Sequence, residues 1–191
     1  MRLAGWVTVV ALLGSATGAS AQVPAALDWD RADEATVRLG PSSFPDLSDD
    51  VRRALERRGC TIPQDYNYKT PHNIIRGRFT TSTEDDLAVL CSKERVSLIL
   101  VFRSGSPANV LEVASRPDRE YLQGLGDSNI GFSRLLGVAS QKYIRKYYAN
   151  HIGPEPLPPL DHDGIEDAFD GKGSVIWYWD NGQWLDLPGA D

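Results

Sequence analysis

The sequence contains few of the residue types on which catalysis and nucleic-acid binding usually depend. Its 191 residues include two cysteines and three histidines, and His72, His151 and His162 lie too far apart for a sequence-level zinc motif. Basic residues are also scarce, since 20 Lys and Arg stand against 26 Asp and Glu. Nucleic acids bind chiefly through clusters of Lys and Arg that neutralise phosphates. The acidic balance and the absence of a recognised catalytic motif therefore argue against a nucleic-acid partner and favour a protein that is not an enzyme.

Long apolar runs are missing from the sequence except near its start. Arg2, the apolar stretch from Val7 to Leu13 and the small residues Ala19-Ser20-Ala21 follow the pattern of a cleavable secretory signal. We therefore predict a signal peptide over residues 1–21, a periplasmic or secreted location, and no membrane insertion after cleavage. The remaining 170 residues, with a net charge of −7, suit one domain with its own core.

Cys60 and Cys91 are the only cysteines of the sequence, and exported proteins of this size usually pair such residues. Neither belongs to a Cys-x-x-Cys motif of the kind that redox enzymes use. We predict a structural disulfide, whose closed loop of about 30 residues would stabilise the fold by roughly 3–4 kcal/mol on the chain-entropy model.

The first half of the chain is predicted to hold an irregular arm, one helix and a meander of strands. Three prolines and unpatterned charges indicate an irregular N-terminal arm over residues 22–47, followed by a single α+β domain over 48–191. Ser48 can cap a helix that ends at Gly59. Runs rich in β-branched residues, separated by turn residues, then predict short antiparallel strands. These runs are 74–79, 87–90, 96–102 and 110–113.

Two further elements are predicted in the second half. Residues 140–150 place tyrosines and isoleucine at helical spacing, although the same letters also alternate as in a strand, so both alternatives stay open. Residues 174–179 and 183–187 flank Asn181-Gly182, a pair typical of tight hairpin turns. The resulting expectation is an α+β fold: mainly an antiparallel sheet of about five to seven strands, with one or two helices and a C-terminal hairpin.

The closing hairpin carries three tryptophans, Trp177, Trp179 and Trp184, for which two roles can be argued. Aromatic rings can form a platform on which a carbohydrate ligand stacks, and aromatic side chains also dominate the packing of small cores. We regard the three as candidate ligand-binding residues, with core packing as the more common use of such residues.

The aspartate-rich segment before the hairpin has the spacing of a calcium loop. Calcium takes about six to eight oxygen ligands from carboxylates and carbonyls on a turning chain. The candidate ligands are Asp161, Asp163, the Ile165 carbonyl, Asp167 and Asp170. The run resembles the aspartate-rich calcium loops of thrombospondin type 3 repeats, although Pro159 stands where those loops have their first aspartate. The alternative is a turn in which Asp163 caps a short helix over 164–169.

Three sequence blocks extend over both halves of the chain. They are Arg58-Gly59-Cys60-Thr61-Ile62-Pro63-Gln64, Asp86-Leu87-Ala88-Val89-Leu90-Cys91-Ser92 and Asp161-His162-Asp163-Gly164-Ile165-Glu166-Asp167-Ala168-Phe169. Together these blocks resemble a group of uncharacterised secreted bacterial proteins. The middle block, with Gly77-Arg78-Phe79 before it, also resembles one FG-GAP-type propeller blade. Because a propeller needs several blades and the sequence shows one copy, we expect a lone sheet.

These observations favour an exported, non-enzymatic binding or inhibitory module, whose ligand would be a protein or a carbohydrate. Two alternatives stay open. Asp161, His162 and Asp163 crowd ionisable groups into one loop, which a small secreted hydrolase would use for catalysis. The calcium loop would instead belong to a calcium-stabilised structural protein, with calcium as its one cofactor.

Overall fold

The computed structural model describes residues 27–127, 129–152 and 156–190, so the predicted signal peptide lies outside the described residues. Within these ranges no helix is long and apolar enough to cross a bilayer. The helices and strands follow in chain order: α1 Trp29–Ala35, β1 Arg38–Leu39, α2 Asp49–Arg58, β2 Ile62–Pro63, β3 Ile74–Gly77, β4 Asp86–Lys93, β5 Val96–Phe102, β6 Val110–Pro117, β7 Leu122–Gly126, β8 Asn129–Phe132, β9 Arg134–Ala139, α3 Gln141–Tyr147, β10 Gly164–Phe169, β11 Gly173–Asp180 and β12 Gln183–Pro188.

Helix α2 and the first meander form as predicted. The Ser48 hydroxyl accepts a hydrogen bond from the Val51 amide at 3.4 Å, and Gly59 ends the helix in the left-handed region with φ of +72°. Strands β3, β4, β5 and β6 pair in that order, each antiparallel to its neighbour. The Cys60–Cys91 disulfide joins the end of α2 to β4, with the two Cα atoms 5.1 Å apart. The predicted disulfide is therefore confirmed.

The second half of the chain forms a four-stranded sheet of its own. Strands β9, β10, β11 and β12 also pair in sequence order as an antiparallel meander. The α+β class is thus confirmed, but the strands are divided between two four-stranded sheets and two short pairs, β1–β2 and β7–β8, rather than gathered in one. The sequence predicts the closing hairpin of this second meander, β11 and β12, but not its strands β9 and β10.

The two sheets pack face to face, and one helix covers the outer face of each. Strand alternation explains this, since Leu87 and Val89 of β4 face α2 whereas Ala88 and Leu90 face the second sheet. Helix α3 packs its buried Ile144 on the far side of the second sheet, against Ile176 and Tyr178. The order of layers is therefore α2, first sheet, second sheet, α3.

An ion pair is buried between the sheets. Arg134 of β9 is fully buried, and its guanidinium donates to both carboxylate oxygens of Asp167 on β10 at 2.8 Å. It also donates to Ser97 of β5 and lies 4.4 Å from the centre of the Tyr121 ring. Burial, together with the charge of Asp167, raises the pKa of Tyr121 to about 12. The sequence does not predict β10, because Asp167 is polar and yet points into the core. This breaks the apolar–polar alternation expected of a strand.

The N-terminal arm is more regular than predicted. Over residues 27–47, Asp28 caps α1 by accepting from the Arg31 amide at 3.0 Å, and β1 pairs with β2. Arg38 holds this segment in place, since its guanidinium contacts Asp33 at 2.7 Å and Asp118 at 2.8 Å. The sequence does not indicate these short elements, because ion pairs between distant residues leave no periodic pattern.

The two elements predicted for the second half are both present. Residues 141–147 form α3, capped by the Ser140 hydroxyl at 3.2 Å from the Tyr143 amide, which decides for the helix over the strand alternative. The closing hairpin turns at Asn181 and Gly182, with φ of +48° and +85°.

Candidate ligand-binding groove

A groove of about 480 Å³ lies between α1, the loop that joins β2 to β3, and β8. Ala32, Ala35 and Thr36 form the wall contributed by the end of α1. The opposite wall is the loop over residues 64–71, and the β8 residues 130–132 complete the lining. Ligand sites in proteins typically measure about 300–1,000 Å³. We call this feature the Asp65 groove, after the residue that distinguishes it.

The loop that forms one wall is held by side chains at its two ends. Gln64 donates to the His72 carbonyl at 3.2 Å and accepts from the His72 amide at 3.0 Å. The Asp65 amide donates to His72 Nε2 at 2.7 Å, so Nδ1 carries the proton and donates to the Thr70 carbonyl at 2.9 Å. The Tyr66 amide is bonded to the Phe132 carbonyl of β8 at 2.8 Å. These bonds fix the loop against the sheet before any ligand binds.

Asp65 is a buried carboxylate with an incomplete set of hydrogen bonds. Asp65 is one of the residues that line the groove, and it is only 2% exposed. Oδ1 accepts from the Asn67 amide at 2.7 Å, whereas Oδ2 is buried and has no hydrogen-bond partner among the described residues. Burial raises the pKa of Asp65, and the nearby charge of Asp170 adds to that rise. A buried carboxylate oxygen without a donor is destabilising, and a donor that reached it would remove that cost.

Exposed apolar side chains concentrate on the elements that form the groove. Among the described residues, nine large hydrophobic side chains are exposed, and six belong to α1, its flanking residues, the loop or the β7–β8 hairpin. A Cβ at Gly131 of β8 would meet both Tyr66 and Leu125, so these two side chains lie together at the groove. Three of the six, Val37, Tyr66 and Tyr68, line the groove, and the other three, Leu27, Trp29 and Leu125, lie on the elements around it. We call the six residues together the rim.

The predicted calcium ligands do not converge. Residues 164–169 form the extended strand β10 rather than a loop or the alternative short helix, so Asp163 and Asp170 are separated by roughly 20 Å. Asp167 forms an ion pair with Arg134, and Asp163 Oδ2 accepts a hydrogen bond from the Arg78 amide at 3.3 Å. Calcium ligands must all lie about 2.3–2.6 Å from one ion. No group of three or more residues able to hold a metal is found among the described residues.

The loop proposed for hydrolysis holds a histidine whose two ring nitrogens are engaged. His162 is buried and stacks on Tyr178 with ring centroids 4.3 Å apart. Nδ1 lies 2.9 Å from the Asp163 carbonyl and Nε2 lies 2.9 Å from the Trp179 carbonyl. A general base needs a nitrogen within reach of a substrate or nucleophile. This arrangement gives His162 a packing role at the start of β10.

The three tryptophans of the hairpin are half-buried and contact each other or the core. Trp177 packs against the core between the sheets and donates to Asp167 at 3.2 Å. Trp179 and Trp184 meet edge to face with ring centroids 5.1 Å apart. They do not line the Asp65 groove. The geometry therefore favours the core-packing interpretation over a flat platform for sugars.

Comparison with family models, with curated proteins and with solved structures finds no match to this chain.

Sequence reasoning missed the residues that form the groove. Asp65, Tyr66, Tyr68 and Lys69 lie together in a short stretch between two strands that has no periodicity and no familiar motif. The available signal was two tyrosines within five residues of a connecting loop, because loops carry aromatic side chains mainly where these contact a partner.

Proposed function

We propose that this protein is an exported, non-enzymatic binding module and that its ligand occupies the Asp65 groove. The observation that carries the proposal is the buried Asp65 Oδ2, which has no partner at the edge of a ligand-sized groove. Stable folds rarely leave such an atom unsatisfied, and the exceptions call for a functional explanation. Export is supported by the secretory pattern of residues 1–21 and by the Cys60–Cys91 disulfide, a bond typical of oxidising compartments.

The surroundings of Asp65 support binding rather than catalysis. Asp65, Tyr66, Tyr68 and Lys69 lie along the groove, and the nearest histidine, His72, uses both ring nitrogens to hold the loop. A nucleophile with an adjacent base, as covalent catalysis requires, is not found among the described lining residues. The exposed rim instead offers contact area of the kind that recognition surfaces use.

The proposal can be tested by mapping probes of several chemical classes onto backbone amides by NMR. The panel consists of capped tripeptides with a basic, acidic, polar or apolar central residue, together with methyl glucoside and methyl galactoside. We expect the amides that respond to lie in residues 64–71 and 130–132. Tyr68→Ala should abolish these shifts, whereas Tyr147→Ala, which removes a half-buried tyrosine from a different groove on α3, should leave them unchanged. A panel in which no probe moves the groove amides would refute the proposal.

A further inference from the structure

Asp65 and Asp86 are buried carboxylates without a Lys or Arg partner in the described chain, but Asp86 accepts four hydrogen bonds whereas Asp65 accepts one. Asp118 also has one unpartnered oxygen, but its Oδ2 accepts from Arg38 at 2.9 Å and from Ser92 at 2.6 Å. Asp167 is paired with Arg134. Asp65 has no Lys or Arg of the described chain within ion-pair distance and relies on one backbone amide. Unlike Asp86, Asp65 therefore keeps one oxygen, Oδ2, without a donor from the described chain.

The groups around Asp65 indicate that the ligand carries a positive charge. Two tyrosines, Tyr66 and Tyr68, line the same groove, and aromatic faces attract cations. Lys69 lines it too, but this lysine is exposed and makes no ion pair with Asp65. Because solvent and salt screen an exposed charge far more than a buried one, the buried carboxylate decides the preference of the groove.

We infer that the Asp65 groove receives the side chain of an arginine or lysine carried by a peptide segment of a partner protein. The inference rests on the proposed function and names the chemistry of its ligand. A guanidinium or ammonium group would donate to Oδ2 and complete the carboxylate's hydrogen bonds. A peptide is favoured over a free amine because the rim extends beyond the cavity, and a small amine would leave its exposed apolar side chains uncovered.

The test compares capped peptides that differ only in the charge of the central side chain. Ac-Leu-Arg-Leu-NH2 is titrated against the same peptide with citrulline, which keeps the shape of arginine but carries no charge. We expect the arginine peptide to shift the amides of the groove and to bind at least tenfold more tightly than the citrulline peptide. Agmatine, a free guanidinium compound, should bind at least tenfold more weakly than the arginine peptide.

Three variants separate the role of Asp65 from that of overall charge. Asp65→Asn should weaken binding of the arginine peptide at least tenfold, while its spectrum reports that the fold is kept. Glu34→Gln removes the same charge from the exposed face of α1 and should change binding less than twofold. Lys69→Gln should strengthen binding because it removes a positive charge from a groove that receives a cation. The capped peptide has no carboxylate with which Lys69 could pair.

Each part of the inference has a result that would contradict it. Equal binding of the arginine and citrulline peptides in the groove would overturn the cation inference and leave the proposed function standing. Agmatine that binds as tightly as the peptide would overturn the peptide source. Weaker binding by Lys69→Gln, or full binding by Asp65→Asn, would overturn the role of the carboxylate. Failure of every probe to reach the groove would instead refute the proposed function itself.

Discussion

Replacing Asp65 by asparagine should stabilise the protein, whereas the same replacement at Asp86 should destabilise it. Both carboxylates are buried, with exposures of 2% and 0%. Asp86 accepts four hydrogen bonds: Oδ2 takes the Phe79 amide and the amide and hydroxyl of Thr80, and Oδ1 takes the Ser104 amide. Asp65 accepts one. The two variants remove the same charge, so the difference between them measures how well each carboxylate is satisfied.

The expected magnitudes follow from the partners that each side chain keeps or loses. An unsatisfied buried polar group costs about 1–3 kcal/mol. Since the groove brings solvent close to Asp65 and asparagine remains polar, we expect Asp65→Asn to gain about 1 kcal/mol. In Asp86→Asn the side-chain NH2 group would face hydrogen-bond donors, and the remaining oxygen would be a weaker acceptor than a carboxylate. These losses should cost about 2–4 kcal/mol. For a domain of this size, about 1 kcal/mol shifts Tm by about 2–4 °C.

Thermal and urea unfolding of the two variants, followed by circular dichroism, provide the assay. The raised pKa of Asp65 in the fold means that its ionisation opposes folding above that pKa. The gain from Asp65→Asn should therefore be complete at pH 7 and shrink as the pH falls towards about 3.9, the ordinary Asp value. His72 and Asp170, whose charges act on Asp65, are present in both proteins, so their effects largely cancel in the comparison. A loss of stability in Asp65→Asn at pH 7 would refute the claim that Oδ2 lacks a partner.

The remaining predictions concern the scaffold. Replacing both Cys60 and Cys91 by serine should cost about 2–4 kcal/mol in the free energy of unfolding, which denaturant titration measures; an unchanged midpoint would contradict a structural disulfide. Arg134→Met leaves Asp167 buried without its partner and should cost about 3–5 kcal/mol, whereas the double variant with Asp167→Leu should recover much of that loss. His162→Ala should lower Tm because the ring stacked on Tyr178 is lost, and activity against esterase or peptidase substrates in the parent protein would speak against the packing role. Calcium and a chelator should give the same Tm, since the candidate ligands do not converge; a site filled at 100 times its Kd would add about 2.7 kcal/mol.

The sequence was informative where one local rule determined the structure. Ser48 and Gly59 bounded α2 because capping residues satisfy backbone groups that the helix leaves free. Asn181-Gly182 determined the hairpin turn because few residues adopt positive φ. The disulfide followed from the number of cysteines and the export signal. Each of these features depends on residues close in sequence or on composition alone.

The second sheet and the groove could not be predicted in the same way because they depend on distant residues. From the sequence alone, Asp167 resembles a surface or metal-binding residue. In the structure it pairs with Arg134, which lies 33 positions away in the chain. Arg38 orders the N-terminal segment through Asp118, which lies 80 positions further along the chain. The Asp65 groove likewise exists only where the β2–β3 loop meets α1 and β8. A local sequence pattern predicts none of these long-range contacts.

The groove is formed by parts that are fixed independently of any ligand. Arg38 anchors α1 to the turn that contains Asp118, and His72 anchors the loop that carries Asp65. A site whose walls are already ordered loses less conformational entropy when a ligand binds. The same rigidity explains how a buried carboxylate oxygen persists without a partner, since the surrounding bonds prevent the loop from rearranging to supply a donor. Its local cost, about 1 kcal/mol, is small beside the contribution of the disulfide and becomes favourable once a donor fills the groove.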